Sequence, residues 1–164
     1  MSRPVIYTIG HSNHRIEVFV DLLHQHEIAC LVDVRSSPYS RFSPHFRKRD
    51  LEAHLRDAGI EYVYLGDSLG GRPGESRNFT QSDLVDYAEI ARQPWYEEGL
   101  QSLLDIAREQ RCAFMCSEED PGKCHRNLLI ADSLISRSLA EVVHIRGDGQ
   151  TEQASRHPQQ SRLF

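Results

Sequence analysis

Two thiols sit among polar neighbours: Cys116 is followed by Ser117 and Glu118, Cys124 by His125 and Arg126, and the loop Ser117 to Lys123 separates them. A thiol at the amino end of a helix feels the positive end of the helix dipole, and a nearby arginine adds to that field; both favour the thiolate. Cys124 is expected where a helix begins, so it is a candidate nucleophile near neutral pH, and the loop can bring Cys116 within its reach. Three readings stay open. In the first, a thiolate attacks a substrate while His11 or His125 handles protons. In the second, Cys116, Cys124 and a histidine hold a metal or iron–sulfur group, although their gap is longer than the C-x-x-C spacing of structural zinc sites. No metal ligand set is assigned, and the cofactor is left open. In the third, both cysteines are packed as small hydrophobes, the reading given to Cys30 and Cys112.

Other reactive side chains fall where strands are expected to end. Gly10, His11 and Ser12 follow the first strand, Asp33 and Arg35 the second, Gly70 and Gly71 the third. Asp33 and Arg35 can act as a base with an anion holder, or as an ion pair that pins a loop. Glu118 can exchange protons or anchor the following helix. His11 can be a base, a ligand or a donor that fixes its loop. His24, His26 and His54 read as surface or boundary residues, and His144 as a satisfied structural histidine. Between Val34 and Arg49 stand Arg35, Arg41, Arg47, Lys48 and Arg49 with no acid, interleaved with Tyr39, Phe42, His45 and Phe46. That mixture suits phosphate contact with base stacking, or forms an ordinary solvated loop. Arg72 and Arg77 would extend the same field.

These residues need a scaffold, and the pattern supplies one by alternating strand and helix. Strands are expected over Val5 to Ile9, Ala29 to Val34, Ile60 to Leu65, Cys112 to Cys116 and Glu141 to Ile145. Helical spacing recurs at Ile16, Phe19, Val20 and Leu23 behind a cap of Ser12 or Asn13, and at Leu51, Leu55 and Ala58 ahead of a stop at Gly59. Thr80 with Asp83 resembles a capping box. Pro94 opens a helix striped by Leu100, Leu103, Leu104 and Ala107, and Cys124 to Leu139 forms the last one. The fold class is therefore α/β: a mainly parallel sheet of about five strands with helices on both faces. One domain is expected over residues 1–147, with a polar tail over residues 148–164. Ligands of such sheets bind at the carboxyl edge.

The 164 residues, 39% hydrophobic and 26% charged, exclude a disordered or low-complexity chain, and a net charge of −5 argues against a wholly basic nucleic-acid coat protein. No membrane span, signal peptide or disulfide framework is expected, which favours a reduced, cytoplasmic setting. A nucleoside-triphosphate or dinucleotide enzyme is disfavoured, because no G-x-x-x-x-G-K-[ST] or strand-linked G-x-G-x-x-G occurs.

Ile9-Gly10-His11-Ser12, Leu31-Val32-Asp33-Val34-Arg35 with Pro38 and Ser40, Leu65-Gly66 with Leu69-Gly70-Gly71, and Met115-Cys116-Ser117-Glu118 with Asp120-Pro121 and Cys124-His125-Arg126 together resemble the domain-of-unknown-function family 488. The resemblance runs from Val5 to His144. It implies a small cytoplasmic α/β protein with recurring cysteine and histidine motifs, and brings no activity with it. By this resemblance the motif positions are His11, Ser12, Asp33, Arg35, Gly70, Gly71, Cys116, Glu118, Cys124, His125 and Arg126. Residues Ala88 to Ala91 and the tail after Gly149 follow the family pattern less closely.

The leading expectation is an enzyme, a thiol-dependent hydrolase or transferase, acting on an anionic, phosphate-bearing or nucleic-acid-derived substrate. Cys124 or Cys116 supplies the thiolate, and His11, Asp33 and Glu118 manage protons. Ser12, Arg35, Gly70, Gly71, His125 and Arg126 contact the substrate. A nucleic-acid-binding or accessory module with structural cysteines is the competing reading, and a metal or thiol-redox module the third.

Overall fold

The structure, a computed structural model, describes residues 3–70 and 87–155. Strands β1 (Val5–Gly10), β2 (Cys30–Asp33), β3 (Glu61–Tyr64), β4 (Cys112–Cys116), β5 (Glu141–Ile145) and β6 (Thr151–Gln153) form one sheet in the order β3-β2-β4-β1-β5-β6. The first five strands are parallel, and β6 is antiparallel to β5. The helices are α1 (Ile16–Gln25), α2 (Lys48–Asp57), α3 (Gly66–Leu69), α4 (Tyr87–Ala91), α5 (Pro94–Glu109) and α6 (Asp132–Ser136). No helix among the described residues is long and apolar enough to cross a membrane.

The period-two alternation of strand side chains divides the core into two layers. Ile6, Cys30, Val32, Cys112, Phe114 and Val142 face one side and pack against Leu100, Leu103, Leu129 and Leu134 from α5 and the last helical segment. Ile9, Leu31, Ala113, Met115 and Ile145 face the other, against Phe19 and Leu23 of α1 and Leu51 and Leu55 of α2. Each fully buried leucine contributes about 1.5–3 kcal/mol of transfer free energy, so both faces are firmly held. Cys30 and Cys112 lie opposite each other at the strand starts, and burial pushes both thiols up to about 12. They are packing residues.

Four local expectations are corrected. Ser12 and Asn13 do not cap α1, whose N-cap is Arg15 without a side-chain bond. The chain leaving β1 stays zipped to the loop after β4, with His11 N–H donating to the Cys116 carbonyl at 3.0 Å and Ser12 N–H to that of Ser117 at 2.9 Å, and it turns through a left-handed Ser12 (φ 49°). The helix expected from Cys124 to Leu139 is shorter and not α-helical throughout: Cys124 is extended after a 3-10 turn (Pro121–Lys123), and a π-helical segment (Arg126–Ala131) runs directly into α6, which ends at Ser136. The sheet has a sixth strand inside the segment read as a polar tail: Asp148 and Gly149, the latter at φ 89°, make a hairpin turn that returns β6 onto β5. Finally, Phe46 is fully buried, stacked on His11 at 4.3 Å, and is unavailable to a nucleic-acid base. Gly59, at φ 79°, ends α2 as expected. The expected capping box at Thr80 and Asp83, along with Gly71, Arg72 and Arg77, lies outside the described residues.

Candidate active site

Strand β4 lies between β2 and β1, which places Cys116, its last residue, beside the carboxyl ends of both neighbours. Gly10 pairs with Cys116 and is the tightest point of this edge. A Cβ there would sit 1.7 Å from the Glu118 carbonyl oxygen, so only glycine lets the thiol loop fold over β1. Gly10→Ala is expected to cost at least about 1–3 kcal/mol and displace that carbonyl. A urea unfolding midpoint equal to the parent's would contradict this.

Cys116 and Cys124 are both buried, unbridged thiols whose ionisations influence one another, and Cys116 Sγ donates to the Glu118 carbonyl at 3.7 Å. Burial opposes ionisation of Cys116, but the thiol proton of Cys124, the charge and hydrogen bonding of Arg126 and the Glu118 backbone outweigh it and bring Cys116 down to about 7. The Cys124 thiol moves up, because it serves as donor to Cys116 and because it is buried. Cys116 is therefore the more acidic of the pair, where the sequence put the dipole argument on Cys124. That argument retains a structural trace: Arg126 N–H donates to Cys124 Sγ at 3.4 Å. His125 donates from Nε2 to the Val34 carbonyl at 2.9 Å, which leaves Nδ1 as an acceptor 3.6 Å from Cys124 Sγ. Burial, aided by Arg126, lowers its pKa, so the ring is neutral.

Arg126 is wholly buried. Nη2 donates to the carbonyls of Glu118 (3.0 Å) and Glu119 (2.9 Å), and Nη1 to Thr8 Oγ1 (2.8 Å). Nε has no hydrogen-bond partner. Backbone carbonyls and a hydroxyl orient this cation without cancelling its charge, which leaves its field available to a thiolate. The loop it holds is braced from outside: the Glu119 carboxylate accepts from Arg146 and from Gly147 N–H, and these bonds lower Glu119 to about 2.

The other buried arginine is neutralised. Arg35 makes a two-pronged pair with Asp33 (Nε to Oδ1 2.9 Å, Nη2 to Oδ2 2.8 Å), and Asp33 also accepts from the Tyr62 hydroxyl at 2.6 Å. His11 donates from Nδ1 to the Ser12 carbonyl and accepts from Arg35 Nη1 at 3.3 Å through Nε2. Burial, reinforced by Arg35, lowers His11 to about 4. Asp33 and His11 thus have their polar atoms engaged in fixing Arg35.

A cavity of about 320 Å³ opens over the thiols, lined by Arg35, Ser36, Tyr39, Glu118, Lys123 and His125 among others. Of the expected site residues, Cys116, Cys124, Glu118, His125 and Arg35 meet there; His11, Asp33 and Arg126 stand behind that surface. Ser12 is in the turn after β1, and Gly70 is buried against Ser36, whose Oγ would lie 2.2 Å from an added Cβ. The sequence reading passed over Thr8, Tyr62 and Asn127. In the basic segment, Arg47 lies over the Tyr39 ring and Lys48 over that of Tyr64, while Phe42 is 88% exposed. Among the described residues, no cluster of three or more His, Cys, Asp or Glu is arranged to hold a metal ion.

Fold and site together define a small α/β protein with a paired-thiol cavity at the carboxyl edge of a mainly parallel sheet. Residues 15–132 match the family described as Domain of unknown function DUF488, and the chain belongs to that family. No curated protein and no solved structure matches it.

Proposed function

We propose that this chain is a thiol-dependent hydrolase or transferase whose nucleophile is Cys116 and whose substrate is anionic. The observation that carries the reading is a pair of free thiols lining one cavity, with the buried Arg126 and Cys116 donating to the same Glu118 carbonyl. The Cys116 thiolate bonds to an electrophilic centre of the substrate, and the bond to the leaving group breaks; that group takes a proton from solvent at the open mouth. Water or an acceptor then displaces the sulfur, giving its proton to the Glu118 carboxylate and restoring the thiolate. Lys123 supplies positive charge to the wall, with Glu118 the opposing acid. The exposed Tyr39 beside them suits a flat or phosphate-bearing substrate.

The test is the rate of iodoacetamide alkylation of each cysteine against pH, with the modified residue located by mass spectrometry. Since the thiolate is the reacting form, Cys116 is expected to label with a rate that rises through pH about 7 and levels off above it. A Cys116 rate still climbing steeply past pH 8.5 contradicts the proposal. A positive result leads to a substrate screen among phosphorylated and nucleotide compounds.

A further inference from the structure

We propose that Thr8, His144 and Asn127 are positioning residues for the thiol chemistry, forming a buried hydrogen-bonded relay that fixes the Arg126 guanidinium, whose Nη2 donates to the same Glu118 carbonyl as Cys116 Sγ. The inference deepens the thiolate reading and rests on it. It also has a geometry of its own.

The direction of every bond in the relay follows from donor counting. An arginine can only donate, so Thr8 Oγ1 accepts from Arg126 Nη1 at 2.8 Å. The threonine hydrogen is then free to go onward, and the next atom is His144 Nδ1 at 2.6 Å. Asn127 Oδ1 can only accept, so the single proton of the neutral ring is on Nε2, 3.2 Å from it, and Nδ1 is bare to accept the threonine hydrogen. One tautomer and one hydroxyl rotamer satisfy the whole sequence.

The sheet puts the relay in place. Thr8 and His144 are directly opposite in the β1–β5 register, and Gly10 is opposite Cys116 in the β1–β4 register. Along β4, Cys116 follows Cys112 and Phe114 on the same face, and Thr8 follows Ile6 on that face of β1. Thr8 and His144 are thus polar residues inserted into an otherwise apolar layer, directly beneath Arg126. Both are buried, at 0% and 2% exposure. A purely structural layer would be served by valine or isoleucine, and burying a hydroxyl and an imidazole is costly unless both are satisfied. A proton on His144 Nδ1 would reverse the bond to Thr8 and set a second cation near Arg126. Burial first, then Arg126, lowers His144 to about 4, with Glu152 opposing and Arg146 assisting that shift. The ring is therefore neutral throughout the range in which Cys116 ionises.

Thr8→Val keeps the shape and removes the acceptor, so Nη1 loses its anchor and the guanidinium shifts away from its position at the Glu118 carbonyl. The readout is the pH profile of Cys116 alkylation, which a role limited to packing would not move. The midpoint is expected to rise by about one unit, lowering the rate at pH 7 roughly fivefold, and Thr8→Ser is expected to restore the parent profile. His144→Phe, with its melting curve recorded beside that of Thr8→Val, is expected to shift the profile in the same direction, and it decides the matter if the valine variant fails to fold. A parent midpoint near 7 with unchanged profiles in the folded variants overturns the relay alone. A parent midpoint near 9 overturns the thiolate reading, and the relay with it.

Discussion

Cys116→Ser is expected to lose at least about 10³-fold of any turnover and all alkylation at that position, while the fold persists. A serine hydroxyl in the same place is not ionised near neutral pH, so the field of Arg126 has no anion to stabilise. Cys124→Ser behaves differently, because a hydroxyl can still donate to Cys116; its alkylation rate is expected to stay within about tenfold of the parent's. The two variants therefore separate the roles of the two thiols. If Cys124→Ser were the inactive protein and Cys116→Ser the active one, the nucleophile would be Cys124. Circular dichroism and melting curves of both variants verify that the comparison is between folded proteins.

The largest expected effect on stability belongs to Asp33→Asn. Asp33 is 0% exposed and holds Arg35 by two ion-paired hydrogen bonds as well as the Tyr62 hydroxyl. Removing the negative charge leaves the Arg35 cation, 5% exposed, without its counter-ion. Breaking one side of a buried pair costs about 3–5 kcal/mol, which for a chain of this size lowers the melting temperature by roughly 10 °C. The loss measures the penalty of an uncompensated charge, not the net value of the pair. Tyr62→Phe removes only one bond and is expected to cost about 1–3 kcal/mol. Scanning calorimetry on both variants checks the order, and a melting temperature for Asp33→Asn within 2 °C of the parent would refute it.

The fold was legible because strands and helices carry different periods. Ala29 to Val32 and Cys112 to Cys116 are continuous apolar runs that suit a strand covered on both faces, and Leu100, Leu103, Leu104 and Ala107 mark one face of a helix. The gathering of Cys116, Cys124, His125, Arg35 and Glu118 was legible for a related reason: parallel strands send their carboxyl ends to one edge. β6 was not legible from apolar pattern, since all three of its residues are exposed; the Asp148-Gly149 pair was the available signal. The π-helical character after Cys124 was hidden because π-helical and α-helical turns bury similar spacings. The roles within the site were harder still. Residue type says that His11 or Asp33 can move a proton, but only the geometry shows their nitrogens and oxygens engaged with Arg35, Tyr62 and the backbone. Thr8 passed as a routine β-former, because nothing in its neighbours announces Arg126, more than a hundred positions away.

The sheet's last strand also bears on how copies of this protein coexist in a crowded solution. An exposed edge with many free amides invites another chain to add a strand. Here the outermost strand among the described residues beyond β5 is three residues long, runs against the direction of its neighbours and carries Glu152, which is paired with Arg146. An incoming strand would find few backbone groups to join and would have to bury that carboxylate. The short hairpin is a self-made stop against edge-to-edge aggregation, and it covers the flank of β5, a strand with Val142, His144 and Ile145 buried.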